Sequence, residues 1–226
     1  YSTMVTALIR DTRSSQKYWH IVKLMGRSAS HITLQVANQT QPDLYFIGEY
    51  LARDKVTLSA VIDTITDHIL TSNKEGQNYG VILIPEGLLE WTPDVKQLIL
   101  TLNNLLSETS YDATKIQEQL SGVERDLFQS FPLYIQNQLL MDRDSHGNVQ
   151  LSRIETERLV IEMCQARLAQ KDPNYHFHSL PHFYGYEGRC CDPNAFDAAF
   201  CLQLGYIAGQ LALQGYTGYM AACDGV

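Results

Sequence analysis

At 226 residues, 45% hydrophobic and 19% charged, the chain holds enough apolar side chains for a substantial core in one or two domains, which excludes a disordered polymer. Its formal charge of −8 disfavours non-specific nucleic-acid binding without excluding a local basic pocket for phosphate. No apolar run is read as approaching the ~20 residues of a membrane helix, and Tyr1-Ser2-Thr3 does not look like a natural start, so the chain is expected to be a piece of something longer.

Residues 4–10 read as a short helical lead-in, and the polar Asp11-Thr12-Arg13-Ser14-Ser15 follows. Residues 18–24 cluster aromatic and β-branched side chains and read as a strand. Met25-Gly26-Arg27 interrupts it, and residues 28–37 read as a helix entered through the glycine turn. Strand, glycine turn and helix together present backbone N–H groups to an anionic ligand. Arg27 stands at that junction and Lys17 at the strand's other end. The local pattern alone leaves two readings open: a sugar-phosphate corner, or an ordinary βα turn with surface charges.

A second strand is read at 44–48, after the turn signal Gln41-Pro42-Asp43. Leu58, Val61, Ile62, Ile65, Ile69 and Leu70 repeat at helical spacing within 57–71. The continuous apolar run 81–84 suits a central parallel strand buried on both faces. Pro85-Glu86-Gly87 ends it, and a helix over 93–106 is expected, with Thr92 as its cap and Pro93 in its first turn. The alternation βαβαβα with short connections points to an α/β fold: a three-layer, Rossmann-like parallel sheet wrapped by helices.

The rhythm then changes. Residues 107–138 carry no strand pattern and read as a helical insertion on the sheet. The polar loop 141–148 has Asp142 and Asp144 at alternate positions, but His146 breaks the pattern that a calcium loop requires. Ser152 with Glu155 reads as a capping box for a helix over 153–170, whose outer charges are read as solvation. His176 and His178 could ligate a metal from one strand face, yet no third ligand is obviously placed, and strand-edge packing with His182 and the nearby aromatics is the plainer reading. Gly185-Tyr186-Glu187-Gly188-Arg189 is a glycine-bracketed loop carrying an arginine. An amphipathic helix is expected over 194–213 and a last strand over 217–222. Cys164, Cys190, Cys191, Cys201 and Cys223 match no zinc spacing and are read as reduced thiols. Three regions follow: 1–106 as an α/β lobe, 107–150 as insertion and loop, and 151–226 as a return to the same lobe.

Lys17-Tyr18-Trp19-His20, Met25-Gly26-Arg27 with Ser28-Ala29-Ser30-His31-Ile32, Pro85-Glu86-Gly87, and Gly185-Tyr186-Glu187-Gly188-Arg189 together resemble the phosphofructokinase family. The match is to its long diphosphate-dependent branch. His146-Gly147-Asn148-Val149-Gln150 with Ile154-Glu155-Thr156-Glu157 is similar to the same branch. The pieces lie in the family's order along essentially the whole chain. The family's Gly-Gly-Asp donor loop and its Thr-Ile-Asp segment with the catalytic aspartate are not matched, so the resemblance is to the lobe that holds fructose 6-phosphate.

That resemblance implies roles. Tyr186 and Arg189 would bind the sugar phosphate, with Glu187 and Gly188 completing the loop; a guanidinium grips phosphate bidentately and glycine admits close backbone approach. Glu86 would accept from sugar hydroxyls. Met25 and Gly26 would offer backbone contact, and Arg27 would be catalytic, neutralising charge on the transferring phosphoryl group. Lys17 and Tyr18 would reach the sugar phosphate of a neighbouring subunit, which implies a homo- or hetero-oligomer. Mg2+ is implied as cofactor, with its ligand outside this chain, as are a cytoplasmic location and neither nucleic acid nor membrane as partner. Two function classes stay open: the acceptor lobe of a 6-phosphofructokinase with diphosphate as donor, or a silent regulatory copy that binds sugar phosphate.

Overall fold

The computed structural model describes residues 1–27, 29–108, 119–141, 154–188 and 192–223. Two strands, β1 (Trp19–Leu24) and β3 (Gly80–Pro85), are buried at every position. Only a central parallel strand covered on both faces can bury side chains pointing both ways. With β2 (Leu44–Tyr45) and β4 (Ser179–Tyr184) they form a parallel sheet in the order β2-β3-β1-β4. The register sets Leu24 beside Pro85 and Tyr184, so three strands end at one carboxyl edge.

Alternation along the strands feeds two cores. Val22, Leu24, Val81 and Leu83 meet Val5 and Ile9 of α1 (Ser2–Ser15) and Val36 of α2 (His31–Thr40). Trp19, Ile21, Ile82 and Ile84 face the other way, onto α4 (Leu58–Lys74) and α9 (Thr156–Lys171), where Cys164 is buried with Val61, Ile65 and Val160. Between α4 and β2 lies α3 (Gly48–Arg53). Helices on both faces of a parallel sheet make the three-layer α/β architecture that the sequence pattern implies.

After β3 come α5 (Leu88–Trp91), α6 (Pro93–Glu108), α7 (Gly122–Ser130) and α8 (Leu133–Met141). Val95, Leu98 and Leu102 of α6 share a core with Phe128, Ile135 and Leu139, so the inserted helices bury their own apolar face against α6. The charges on α9 are tied rather than merely solvated. Arg167 meets Asp63 at 2.5 Å, and Lys171 meets Asp63 at 3.0 Å and Asp67 at 2.8 Å, fastening α9 to α4.

Several local readings change. The strand read at 44–48 keeps ladder geometry only at Leu44–Tyr45; Phe46 and Ile47 turn inward and α3 starts at Gly48. The helix read from 28 starts at His31, because the chain first crosses the carboxyl edge. Thr92 stands at the start of α6, its carbonyl accepting the Lys96 N–H at 3.0 Å, while its hydroxyl donates to the Leu89 carbonyl at 3.1 Å and closes the end of α5. His176 and His178 precede β4 rather than lying in it. The loop 141–148, Ser152 of the capping box, Cys190 and Cys191 lie outside the described residues, Met141 alone being the end of α8.

The chain divides into two compact units, Tyr1–Gly185 and Tyr186–Val226. The second opens with a single 3-10 turn, Tyr186–Gly188, and carries α10 (Ala195–Leu213), capped by Asn194, whose side chain accepts the Asp197 N–H at 2.8 Å. No residue of α10 is buried, and its apolar positions run round the whole helix, so it is not amphipathic. By length and composition it is apolar enough to cross a membrane, which corrects the reading that no such run exists; Asp197, Gln203 and Gln210 interrupt the run to the eye. Residues 217–222 form no strand, and Gly218 takes φ +77° in a turn instead.

Candidate functional site

Where β1 and β3 end side by side, their loops are stitched together. The Glu86 N–H donates to the Leu24 carbonyl at 3.0 Å, and the Met25 N–H donates to the Tyr184 carbonyl at 3.0 Å. Gly26 then takes φ +138°, a conformation glycine tolerates and other residues resist. Its N–H donates to Glu86 Oε2 at 2.9 Å. A carboxylate has lone pairs for further donors, so Glu86 keeps capacity for a hydroxyl while it braces Gly26.

The two loops also touch backbone to backbone. A Cβ on Gly87 would stand 2.2 Å from the Arg27 carbonyl oxygen, and one on Gly48 would stand 2.2 Å from Trp91 Cδ1. Only glycine lets these segments close on one another. Ser30 fixes the far end of the crossing: its hydroxyl accepts the Gly48 N–H at 2.9 Å and its own N–H donates to Glu49 Oε1 at 2.9 Å. Burial pushes the Glu49 carboxyl up, but the hydrogen bonds from Ser30 and the nearby His31 outweigh it and hold that carboxyl below its ordinary range.

Arg27 is held less firmly. Its Nε lies 3.0 Å from Glu90 Oε1, with the arginine side chain 58% exposed. An exposed ion pair contributes only ~0–1 kcal/mol, so an anionic ligand can draw Arg27 away from Glu90. A carboxylate, a glycine turn and a displaceable guanidinium thus converge at the carboxyl edge of a parallel sheet, where open α/β folds take ligands. Just beneath, Lys23 of β1 pairs with Glu157 in the first turn of α9 at 2.7 Å, both side chains buried.

Of the residues singled out from sequence, the structure brings together Met25, Gly26, Arg27 and Glu86. Lys17 and Tyr18 are exposed at the amino end of β1, so a six-residue strand at ~3.3 Å per residue puts ~20 Å between them and Met25. Tyr186 and Glu187 are exposed and Gly188 is half-buried in the second unit; Arg189 lies outside the described residues. Glu90, Trp91, Ser30 and Glu49 were not singled out. Glu90 meets Arg27 across 63 residues of sequence, and nothing local to either residue announces the pair.

No family model matches the chain. Over 236 residues it is 44% identical to the pyrophosphate–fructose 6-phosphate 1-phosphotransferase of Treponema pallidum, covering 98% of the chain and 41% of that relative. It is 45% identical over 227 residues to the enzyme's beta subunit from Solanum tuberosum, covering 98% and 40%. To the alpha subunit from the same plant it is 34% identical over 225 residues, covering 97% and 36%. The chain is similar to diphosphate-dependent phosphofructokinases over nearly its whole length. It spans less than half the length of these curated relatives. In this phosphofructokinase-like chain the matched Met25-Gly26-Arg27 and Pro85-Glu86-Gly87 pieces, far apart in sequence, are the two loops joined by the Gly26–Glu86 bond.

Proposed function

We propose that the chain is the acceptor-substrate lobe of a 6-phosphofructokinase that transfers a phosphoryl group from diphosphate to the 1-hydroxyl of fructose 6-phosphate. The observation that carries this reading is the joined Gly26–Glu86 edge with Arg27 displaceable beside it, in a chain similar to such enzymes. In the reaction the 1-oxygen forms a bond to the terminal phosphorus of diphosphate, the bridging P–O bond breaks, and phosphate departs. Glu86 would accept from sugar hydroxyls. Arg27, drawn off Glu90, would meet the charge spread over the transferring group. Tyr186, Glu187, Gly188 and Arg189 keep the role that the resemblance gives them, on the 6-phosphate. The proton of the 1-hydroxyl would pass to an aspartate outside the matched pieces.

The position of Lys17 and Tyr18 at the far end of β1 supports the reading that they serve a neighbouring subunit's sugar phosphate rather than their own. An oligomer follows from that reading, and the alpha and beta names of the plant relatives make a hetero-oligomer as open as a homo-oligomer. Among the described residues no three His, Cys, Asp or Glu side chains converge on a metal site, so no step is routed through one. The reading carries Mg2+ with ligands elsewhere, and a cytoplasmic location for the protein.

Titration calorimetry of the chain with fructose 6-phosphate tests the reading. Binding is expected, and Glu86→Ala is expected to weaken it about tenfold or more, the loss of a hydrogen bond to a charged group. A coupled assay with diphosphate is expected to show no turnover by the chain alone. Absence of binding would end the acceptor reading, and turnover would mean that the catalytic base is among these residues.

A further inference from the structure

Lys23 is a cation in the wrong surroundings. It sits in β1 beside Ile84 of β3 and Phe183 of β4, with its side chain 6% exposed. Its Nζ lies 2.7 Å from Glu157 Oε2, 3.4 Å from the Ile154 carbonyl oxygen, and 4.4 Å from the centre of the Phe183 ring. One ammonium group therefore touches three pieces of chain: the first turn of α9, the residue before its cap, and β4.

Such a pair is a poor source of stability. Taking both charges out of water offsets most of their attraction, and well-packed apolar replacements are often neutral or stabilising. What it supplies is position. A buried ammonium held at once by a carboxylate, a carbonyl oxygen and a ring face has few placements that keep all three contacts, because leaving any of them uncompensated in the interior is costly. Lys23 stands two residues before Met25, and Phe183 precedes Tyr184, whose carbonyl holds the Met25 N–H. Any shift of β1 against α9 is passed directly to the loop that Gly26 ties to Glu86.

We propose that the buried Lys23–Glu157 pair is a positioning element of the acceptor site, fixing the carboxyl end of β1 against α9 so that Met25-Gly26-Arg27 stands correctly opposite Glu86. The proposal rests on the acceptor reading above. Neither residue touches substrate, because both are enclosed by β1, β4 and α9.

The test uses Lys23→Met/Glu157→Leu together, which removes both charges at similar volume. The double variant is expected to melt within a few degrees of the native chain, to bind fructose 6-phosphate about ten- to a hundredfold more weakly, and to exchange the Gly26 amide faster. Lys23→Arg, which keeps the charge, is expected to retain most of the affinity that Lys23→Met loses. Glu157→Gln keeps the shape without the charge and stands in if the double variant does not fold; it too should weaken binding. Native affinity in the double variant, or in Glu157→Gln where the double variant fails to fold, would overturn the proposal. If the native chain takes up no fructose 6-phosphate, the acceptor reading falls instead. The Gly26 amide then decides the positioning role, because unchanged protection in the variant overturns it and faster exchange supports it.

Discussion

His20 Nδ1 and His182 Nε2 lie 2.8 Å apart, diagonal neighbours on β1 and β4 beneath α1. A bond between two imidazoles needs one ring to donate and the other to accept, so it exists only while the acceptor is unprotonated. Burial first, then His182, push the His20 imidazole down to about 4, against the opposing pull of Asp11; burial likewise lowers His182. Tyr18 packs edge-on against His20, and Tyr184 lies tilted against His182.

The pH dependence has a definite sign. Unfolded histidines take up protons below about 6.5 while the folded pair resists, so stability is complete above that pH and falls as pH drops from 6.5 toward 4. The loss should reach about 2 kcal/mol for His20 by pH 5.0, at ~1.36 kcal/mol per pH unit. Urea midpoints at pH 7.5 and 5.0 measure it, and His20→Gln should flatten the dependence.

Gly87→Ala should break the joined edge. Its Cβ would stand 2.2 Å from the Arg27 carbonyl and 3.1 Å from Trp91 Nε1, so backbone must part. Overpacking of this kind costs about 1–3 kcal/mol. A lowered melting temperature with weakened sugar-phosphate binding is expected; an unchanged melt would show that the loops separate freely.

On the acceptor-lobe reading proposed above, Arg27→Ala and Arg189→Ala should fail differently in the full-length protein. A group that meets charge developing in the transition state lowers kcat when lost, which is expected of Arg27. Loss of a ground-state phosphate grip raises KM, about ten- to a hundredfold, which is expected of Arg189. Steady-state kinetics separate the two, and exchanged effects would exchange the roles.

The bare α10 helix should betray itself in solution. Leu202, Tyr206 and Leu213 are 76%, 69% and 83% exposed, and Phe196 stacks on Phe200 within the helix. A continuous apolar surface of this kind recruits hydrophobic dyes and neighbouring copies. Dye fluorescence and light scattering on the chain are expected to fall in a Leu202→Glu/Leu213→Glu variant whose Tyr1–Gly185 unit melts as before.

What was legible in the sequence is what depends on local pattern. The run Val81 to Ile84 has no polar alternation, and a strand with no polar face must be central and parallel, as β3 is. Residues 44–48 misled because Phe46 and Ile47 carry strand composition, yet after the Phe46 N–H meets the Leu83 carbonyl at 3.1 Å the chain turns into α3 with both side chains buried, a choice made by tertiary packing. Residues 194–213 misled for the opposite reason: apolar residues at helical spacing look one-sided until the small residues between them are counted. Met25-Gly26-Arg27 and Glu86 were found through their turns and a resemblance. The Ser30–Glu49 and Lys23–Glu157 contacts are long-range pairings of common residue types, and nothing local announces them.

Cys164 lies wholly inside the α9 face, and burial drives its thiol well above its ordinary pKa. Because only the thiolate attacks, a disulfide reagent meets no nucleophile there until α9 lifts from the sheet. Exposed Cys201 should react ahead of it, so a slow phase of thiol labelling that Cys164→Ala removes is a clock for that lifting. The fold thereby carries its own reporter of how often the floor beneath Met25-Gly26-Arg27 opens, at a cysteine already in the sequence.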